Sequence, residues 1–223
     1  MAETPFGYIS PIGPALIDPL VKLLEILMAM PVKPPNEVQT SRSENGYSTA
    51  IIVLAALVFE SAINWVRYHE KDTGRKHASK YFSEVHPEST LAPAIREVFT
   101  MRDIIAHGHL WEGEIVWDEN YTPRFADLPI LQEGYGDDRF QDVLDPQTRC
   151  SKHLKLNLFP PRIWRQDAYI VLQTVSQALK SLEAKDPAYY YFANQIYGFQ
   201  GRACTFYQII DALPDGIDER RTY

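Results

Sequence analysis

Cysteine is scarce in this chain. Cys150 and Cys204 stand far apart, with no CxxC pair and no Cys/His spacing suited to zinc. That excludes a disulfide scaffold and a structural zinc site, and points to a reduced, cytoplasmic protein. Long hydrophobic runs are also lacking. The longest, Ala50 to Phe59, ends after ten residues at Glu60, so it reads as a buried core helix and not as a bilayer span. Met1 to Ser10 contain no basic cluster, and the apolar run that follows is broken by Asp18, Lys22 and Glu25. Neither a signal peptide nor a membrane partner is expected. No serine or cysteine sits in a nucleophile elbow, which leaves the acyl-enzyme hydrolase class without its central residue.

Positive charge is in deficit, with 22 basic against 29 acidic residues and a net charge of −7. The imbalance is local. Residues 112 to 145 hold ten acids against Arg124 and Arg139, and taking this −8 from the chain's −7 leaves +1 elsewhere. Between 149 and 165 stand Arg149, Lys152, Lys155, Arg162 and Arg165 with no acid at all. That run is the candidate phosphate-contacting, RNA-binding surface. A second basic run, Arg67 to Lys80, could serve in the same way, and ordinary solvated charge is the plain alternative for both.

What the chain does have is helical periodicity. Asp18-Pro19 predicts a helix start, an N-cap side chain followed by proline, running to about Met30. Pro31, Pro34 and Pro35 stop it, and residues 31 to 42 read as a linker. A long, mostly apolar helix is expected from about Tyr47 to Glu70, the central member of a bundle. Asp72-Thr73-Gly74 marks a turn, Lys76 to Val85 a short helix, and Leu91 onward another helix. Beyond Gly108 the period drops towards two, predicting a strand over His109 to Trp117 with Lys152 to Phe159 as its pairing strand. A final long helix spans about Arg162 to Ala184. The tail from 186 to 223 is rich in aromatics, with a short helix expected from Arg202 to Leu213.

The chemistry concentrates in Arg102-Asp103-Ile104-Ile105-Ala106-His107, the last turns of the helix from Leu91, stopped by Gly108 as a C′ glycine stops helices. Leu91, Ala94, Ile95, Val98, Met101 and Ile105 form its apolar stripe, and Arg102 falls within that stripe. A guanidinium there keeps its charge and needs an anionic partner. Glu60, a carboxylate following ten apolar residues, is the expected one. Asp103 and His107, four residues apart, are expected to meet so that the carboxylate fixes the imidazole tautomer. A metal held by His107 and His109 would need further ligands that no spacing supplies, so neither metal nor cofactor is expected.

An arginine, a polar residue and a histidine five positions on, running into glycine at a helix end, resembles the R-x4-6-H signature of HEPN domains. The resemblance spans about residues 15 to 185 and is motif-specific only at 102 to 107. It implies a small helical bundle that forms a homodimer and acts as a metal-independent endoribonuclease, with room for a toxin or defence role and an antitoxin-like protein partner. A His/Arg pair can do that chemistry unaided. The ribose 2′-OH attacks the adjacent phosphate, histidine moves a proton, and arginine stabilises charge on the phosphorane oxygens. One helix sets Arg102 and His107 roughly 140° apart, so a two-fold dimer would be needed to join two such sets in one cleft. The expectation is therefore a mainly α, HEPN-like helical bundle, a single domain of 1 to 223. Its helical core is about 15–108 and 160–185, and a small β-containing acidic insertion occupies about 109–159. Arg102, Asp103 and His107 are the catalytic candidates and Glu60 their support. The alternative is a catalytically silent HEPN-like module that binds nucleotide, RNA or a protein.

Overall fold

The structure, a computed structural model, describes residues 12–33, 35–36, 38–107, 110–127, 129–132, 139–186, 189 and 195–214. Among these the chain is mainly α, with seven helices and three two-stranded sheets. Helix α1 is Gly13–Ala29, α2 Arg42–His69, α3 Ala78–Val85, α4 Leu91–His107, α5 Arg139–Val143, α6 Arg165–Lys185 and α7 Phe206–Asp211.

Helix α2 is the axis, packed by α1, α6, α4 and α3. Ser41 caps its start by accepting from the Glu44 N–H. By length and composition α2 could cross a membrane, but here its apolar sides are covered by neighbouring helices. Ile51, Ile52, Ala55, Ala56, Val58 and Phe59 are fully buried on it. Phe59 meets Phe82 of α3 edge-on at 5.5 Å and Phe99 of α4 at 6.2 Å, so three helices close on one aromatic cluster.

Helix α1 begins earlier than Asp18-Pro19 suggests. Pro19 lies inside it, and the first turn carries Pro14, where no N–H is needed. The extra turn is held because Gly13 N donates to the buried Ser61 hydroxyl at 2.9 Å and Ile17 is wholly buried. Packing on α2 outweighs the hydrogen bond that Pro19 forfeits.

The strand pairing differs from the expectation. Strands β1 (Trp111–Glu112) and β2 (Ile115–Trp117) are separated by Gly113-Glu114 and pair with β4 (Ile130–Leu131) and β3 (Pro123–Phe125), both antiparallel. Lys152 to Phe159 pairs with none of these strands, its Asn157 bridging only to Cys150. It forms an irregular loop held by buried Glu97 of α4, whose carboxylate accepts from Ser151 Oγ at 2.7 Å, His153 N at 2.8 Å and Leu154 N at 2.7 Å. That carboxylate satisfies the loop's backbone in place of a strand partner.

Nor does the acidic segment 112 to 145 lie wholly outside the bundle. Hairpin β2–β3 projects, with Trp117 and Tyr121 exposed, but α5 returns to the core through Phe140 and Val143. Leu156 and Leu158 join them. Apolar burial at Phe140 and Val143 draws this stretch inward despite its charge.

In the tail, residues 202–205 are strand and not helix. Strands β5 (Ile196–Phe199) and β6 (Arg202–Thr205) form a hairpin about Gln200-Gly201, both with positive φ, as a two-residue hairpin turn requires. The helix begins only at Phe206, capped by Thr205. The hairpin is tied to α1 where Gln200 N donates to Glu25, and Tyr189 is tied to the end of α2 through Glu70.

Candidate functional site

Helix α4 delivers Arg102 to the place its periodicity indicates, at the edge of the core. The guanidinium carbon lies 5.3 Å from the centre of the Phe99 ring, and the side chain is 19% exposed. Its Nη1 is 3.4 Å from Glu60 Oε2 of α2, so the two charges that interrupt apolar helical faces do meet. Its Nε is 2.8 Å from Asp103 Oδ1, yet the N–H is not aimed at that oxygen, leaving a charge contact without a formed hydrogen bond.

Asp103 does not do what its spacing suggests. Its carboxylate is buried and turned to Arg102, while His107 is exposed at the end of α4. Among the described residues no hydrogen bond joins Asp103 to His107. The i, i+4 relation puts two residues on one side of a helix, but the nearer guanidinium takes the carboxylate. Gly108 and His109 lie outside the described residues.

A histidine that sequence reading passed over stands closer. His77 is the N-cap residue of α3, its ring edge-on to Phe99 at 4.9 Å. Its Nε2 is 3.5 Å from Arg102 Nη2, and its Nδ1 is 2.8 Å from Ser79 Oγ. Nothing in spacing marks it, since it precedes Arg102 by 25 residues, with α3 and most of α4 between them. The available signal is its place inside the Arg67 to Lys80 basic run, just ahead of a short amphipathic helix. A groove of about 750 Å³ opens between α3, α4, α5 and the 152–153 loop, with His77, Lys80, Arg96, Thr100, Asp103 and Lys152 on its walls. Asp103 is the one member of the motif trio that lines it. Nearby, the Glu84 carboxylate 2.6 Å from Lys76 holds that amine above its ordinary range.

The basic run does not form one cationic face. Arg165 is buried, its Nε 2.7 Å from Glu44 Oε1 and its Nη atoms donating to the carbonyls of Met30 and Pro31. It is a structural ion pair, closed to phosphate. Lys152 donates to the Asp142 carbonyl at 2.7 Å, and Lys155 lies 3.6 Å from Asp145. Arg149 and Arg162 are half-buried. Only Lys152 and Lys155 of the five are exposed, the first turned to α5 and the second to Asp145.

Among the described residues no cluster of three or more His, Cys, Asp or Glu side chains could hold a metal. No family model matches the chain, and no protein of curated function and no solved structure matches it either.

Proposed function

We propose that this chain is a metal-independent endoribonuclease of HEPN type, cutting single-stranded or loop RNA by attack of a ribose 2′-OH on the adjacent phosphate. The observation that carries the reading is Arg102. It is a guanidinium 19% exposed at the edge of the core, beside groove-lining Asp103 and five residues ahead of an exposed helix-terminal histidine. Arg102 contacts the scissile phosphate and His107 serves as general acid or base. Asp103 holds the arginine, a change from the role its spacing suggested. The mainly helical fold, with α4 packed on a central α2, supports the HEPN-like reading. So does the approximately 140° that separates Arg102 from His107 on one helix, which calls for a homodimer joining the ends of two α4 helices. The setting is cytoplasmic, as a toxin or defence effector restrained by an antitoxin-like protein.

One observation favours a second reading. Glu60 and Asp103 already balance the charge of Arg102, as they would in a catalytically silent module that binds nucleotide, RNA or a protein. A matched pair of oligonucleotides in chelator separates the two, one all-ribose and one with a single 2′-deoxy position at the cut site. The expected result is cleavage of the first alone, cyclic phosphate ends, and a loss of about 10²-fold or more in His107→Ala. Sedimentation should show a dimer. Equal cleavage of both substrates, or full activity in His107→Ala, would refute the mechanism. A folded dimer that cuts no RNA would favour the silent module.

A further inference from the structure

Helix α2 runs on past Glu60 to a surface that cleavage by Arg102 and His107 leaves unused. Asn64 and Arg67 follow Glu60 at four and seven residues, so they continue its stripe along the helix. The helix then stops in a closed turn. Lys71 N donates to the Tyr68 carbonyl at 3.2 Å and Asp72 N to the Arg67 carbonyl at 2.9 Å, while Lys71 itself takes φ of +56°. That is the place in a helix ending where glycine is favoured, and a lysine there carries conformational strain. Residues held in this way gather at binding and catalytic sites. The turn sets Lys71 beside Arg67 and Tyr68, and with Asn64, Asp72 and Thr73 they line a pocket of about 430 Å³.

The chemistry of this pocket points to one ligand. The Tyr68 ring is 55% exposed and already fixed, stacked on Trp65 at 6.1 Å with His69 edge-on at 5.6 Å. Arg67 lies over the Tyr81 ring at 5.7 Å and gives one long Nη1 hydrogen bond, 3.5 Å, to Asn64 Oδ1, which leaves Nη donors for a phosphate oxygen. The neighbouring acids are engaged within the chain, Asp72 accepting from Gly74 N at 2.7 Å and Glu70 from the Tyr189 hydroxyl. Among the described residues Arg67, Lys71 and Arg75 have no carboxylate partner. A fixed, exposed ring beside cations suits an unpaired base and its phosphates.

We infer that the end of α2 binds one nucleotide of a single-stranded nucleic acid, Tyr68 stacking the base and Arg67 and Lys71 taking the adjacent phosphates. Stacking and phosphate pairing are common to RNA and DNA, so the site selects an unpaired strand and not a sugar. That the strand is a substrate rests on the ribonuclease reading, and the binding does not. Seven residues of helix set Arg67 about 10 Å along α2 from Glu60. Glu60 is the residue that meets Arg102, so one strand can lie on both.

The test uses the full chain and a short, fluorescently labelled all-2′-deoxy single strand, which the proposed chemistry cannot cut, followed by anisotropy. Tyr68→Ala should raise Kd by about 10-fold or more, the scale of one lost base stack, and Tyr68→Phe, which keeps the ring, should stay near the wild type. Lys71→Gly puts the favoured residue at the helix ending, so the fold is kept, while affinity falls and the salt slope of binding drops by about 1. An all-ribose strand, added to His107→Ala to prevent cutting, should depend on Tyr68 in the same way. Wild-type affinity in Tyr68→Ala for either strand would overturn the site. So would no binding by the wild type, or equal binding of a duplex or of a polyglutamate peptide, which would make this a general anion surface or a face for an acidic protein. The two readings separate. Tyr68-dependent binding by a chain that cuts no RNA removes the ribonuclease and keeps the site, whereas RNA cleavage with unaltered binding in Tyr68→Ala removes the site and keeps the ribonuclease.

Discussion

Arg165 sits in a charge pair that the surrounding chain has closed off from water, with Glu44 on one side and the carbonyls of Met30 and Pro31 on the other. Losing one partner strands the other in the core. Glu44→Ala or Arg165→Ala should each cost about 3–5 kcal/mol in urea unfolding, while a double replacement by apolar residues of similar volume should cost far less. The pair also ties the linker after α1 to the start of α6, joining positions more than a hundred residues apart. His86 makes a different prediction. Burial, and secondarily the charge of Lys185, holds its imidazole below its ordinary value, and its Nε2 is buried without a hydrogen-bond partner among the described residues. As pH falls, the unfolded chain takes up the proton first. Stability is therefore undiminished above the ordinary imidazole range and declines as pH drops through it and on to the lowered folded value. Urea midpoints at about pH 7.5 and about pH 5.5 should differ less in His86→Phe, which keeps a ring against Phe82 and cannot titrate. An unchanged difference would assign the pH dependence to other groups.

At the scale of elements, the helices follow their apolar period and the short strands follow their turns. In the β5–β6 hairpin, Tyr197 and Phe199 alternate with exposed neighbours, and Gln200-Gly201 reverses the chain. Gly201 has φ of +74°, and a Cβ built there would meet nothing within 4 Å, so the cost of a side chain is conformational alone. Gly201→Ala should lower stability by about 1 kcal/mol. Gly198→Ala, also with open space but without positive φ, should be close to neutral. Equal effects of the two in thermal unfolding would show that the turn is not under this constraint. The hairpin went unread in the sequence, although Tyr197 and Phe199 alternate and Gln200-Gly201 stands at its turn. The aromatic content of the tail and the apolar spacing after Arg202 pointed instead to a helix, and the cap at Thr205 decides where that helix starts.

For the whole molecule, the acidic insertion divides into a part that can be dispensed with and a part that cannot. The β2–β3 hairpin contributes Phe125, edge-on to Phe159 at 5.4 Å, but none of its residues is fully buried. Helix α5 places Phe140 and Val143 in the core and is pinned by Asp142 to Arg96. Replacing residues 114 to 127 by a glycine-serine linker should leave cooperative unfolding and lower Tm by only a few degrees. Removing 112 to 145 entirely should lose cooperative unfolding, because two buried apolar side chains go with it. Unfolding of the shorter deletion would show the hairpin to be part of the core. A charge run predicts where solvent is tolerated, and it is overruled where a few apolar residues within it can reach the interior.

The sequence by itself determined the elements whose signal is local and repeated. The periods of α2, α4 and α6 specify buried faces, and the two charges interrupting those faces, Glu60 and Arg102, had to meet because neither is stable in an apolar face alone. Only the tertiary structure decided what depends on approach between distant segments. It set Asp103 against Arg102 instead of His107, sealed Arg165 with Glu44, and turned Lys152 to Phe159 into a loop hung on Glu97. It also brought His77, at the start of α3, to Arg102 on α4. Periodicity fixes the direction in which a side chain leaves its own helix. Which partner waits there is set by how the helices pack: for Asp103, Arg165 and the Glu97 loop the nearest opposite charge or unsatisfied backbone group took the contact.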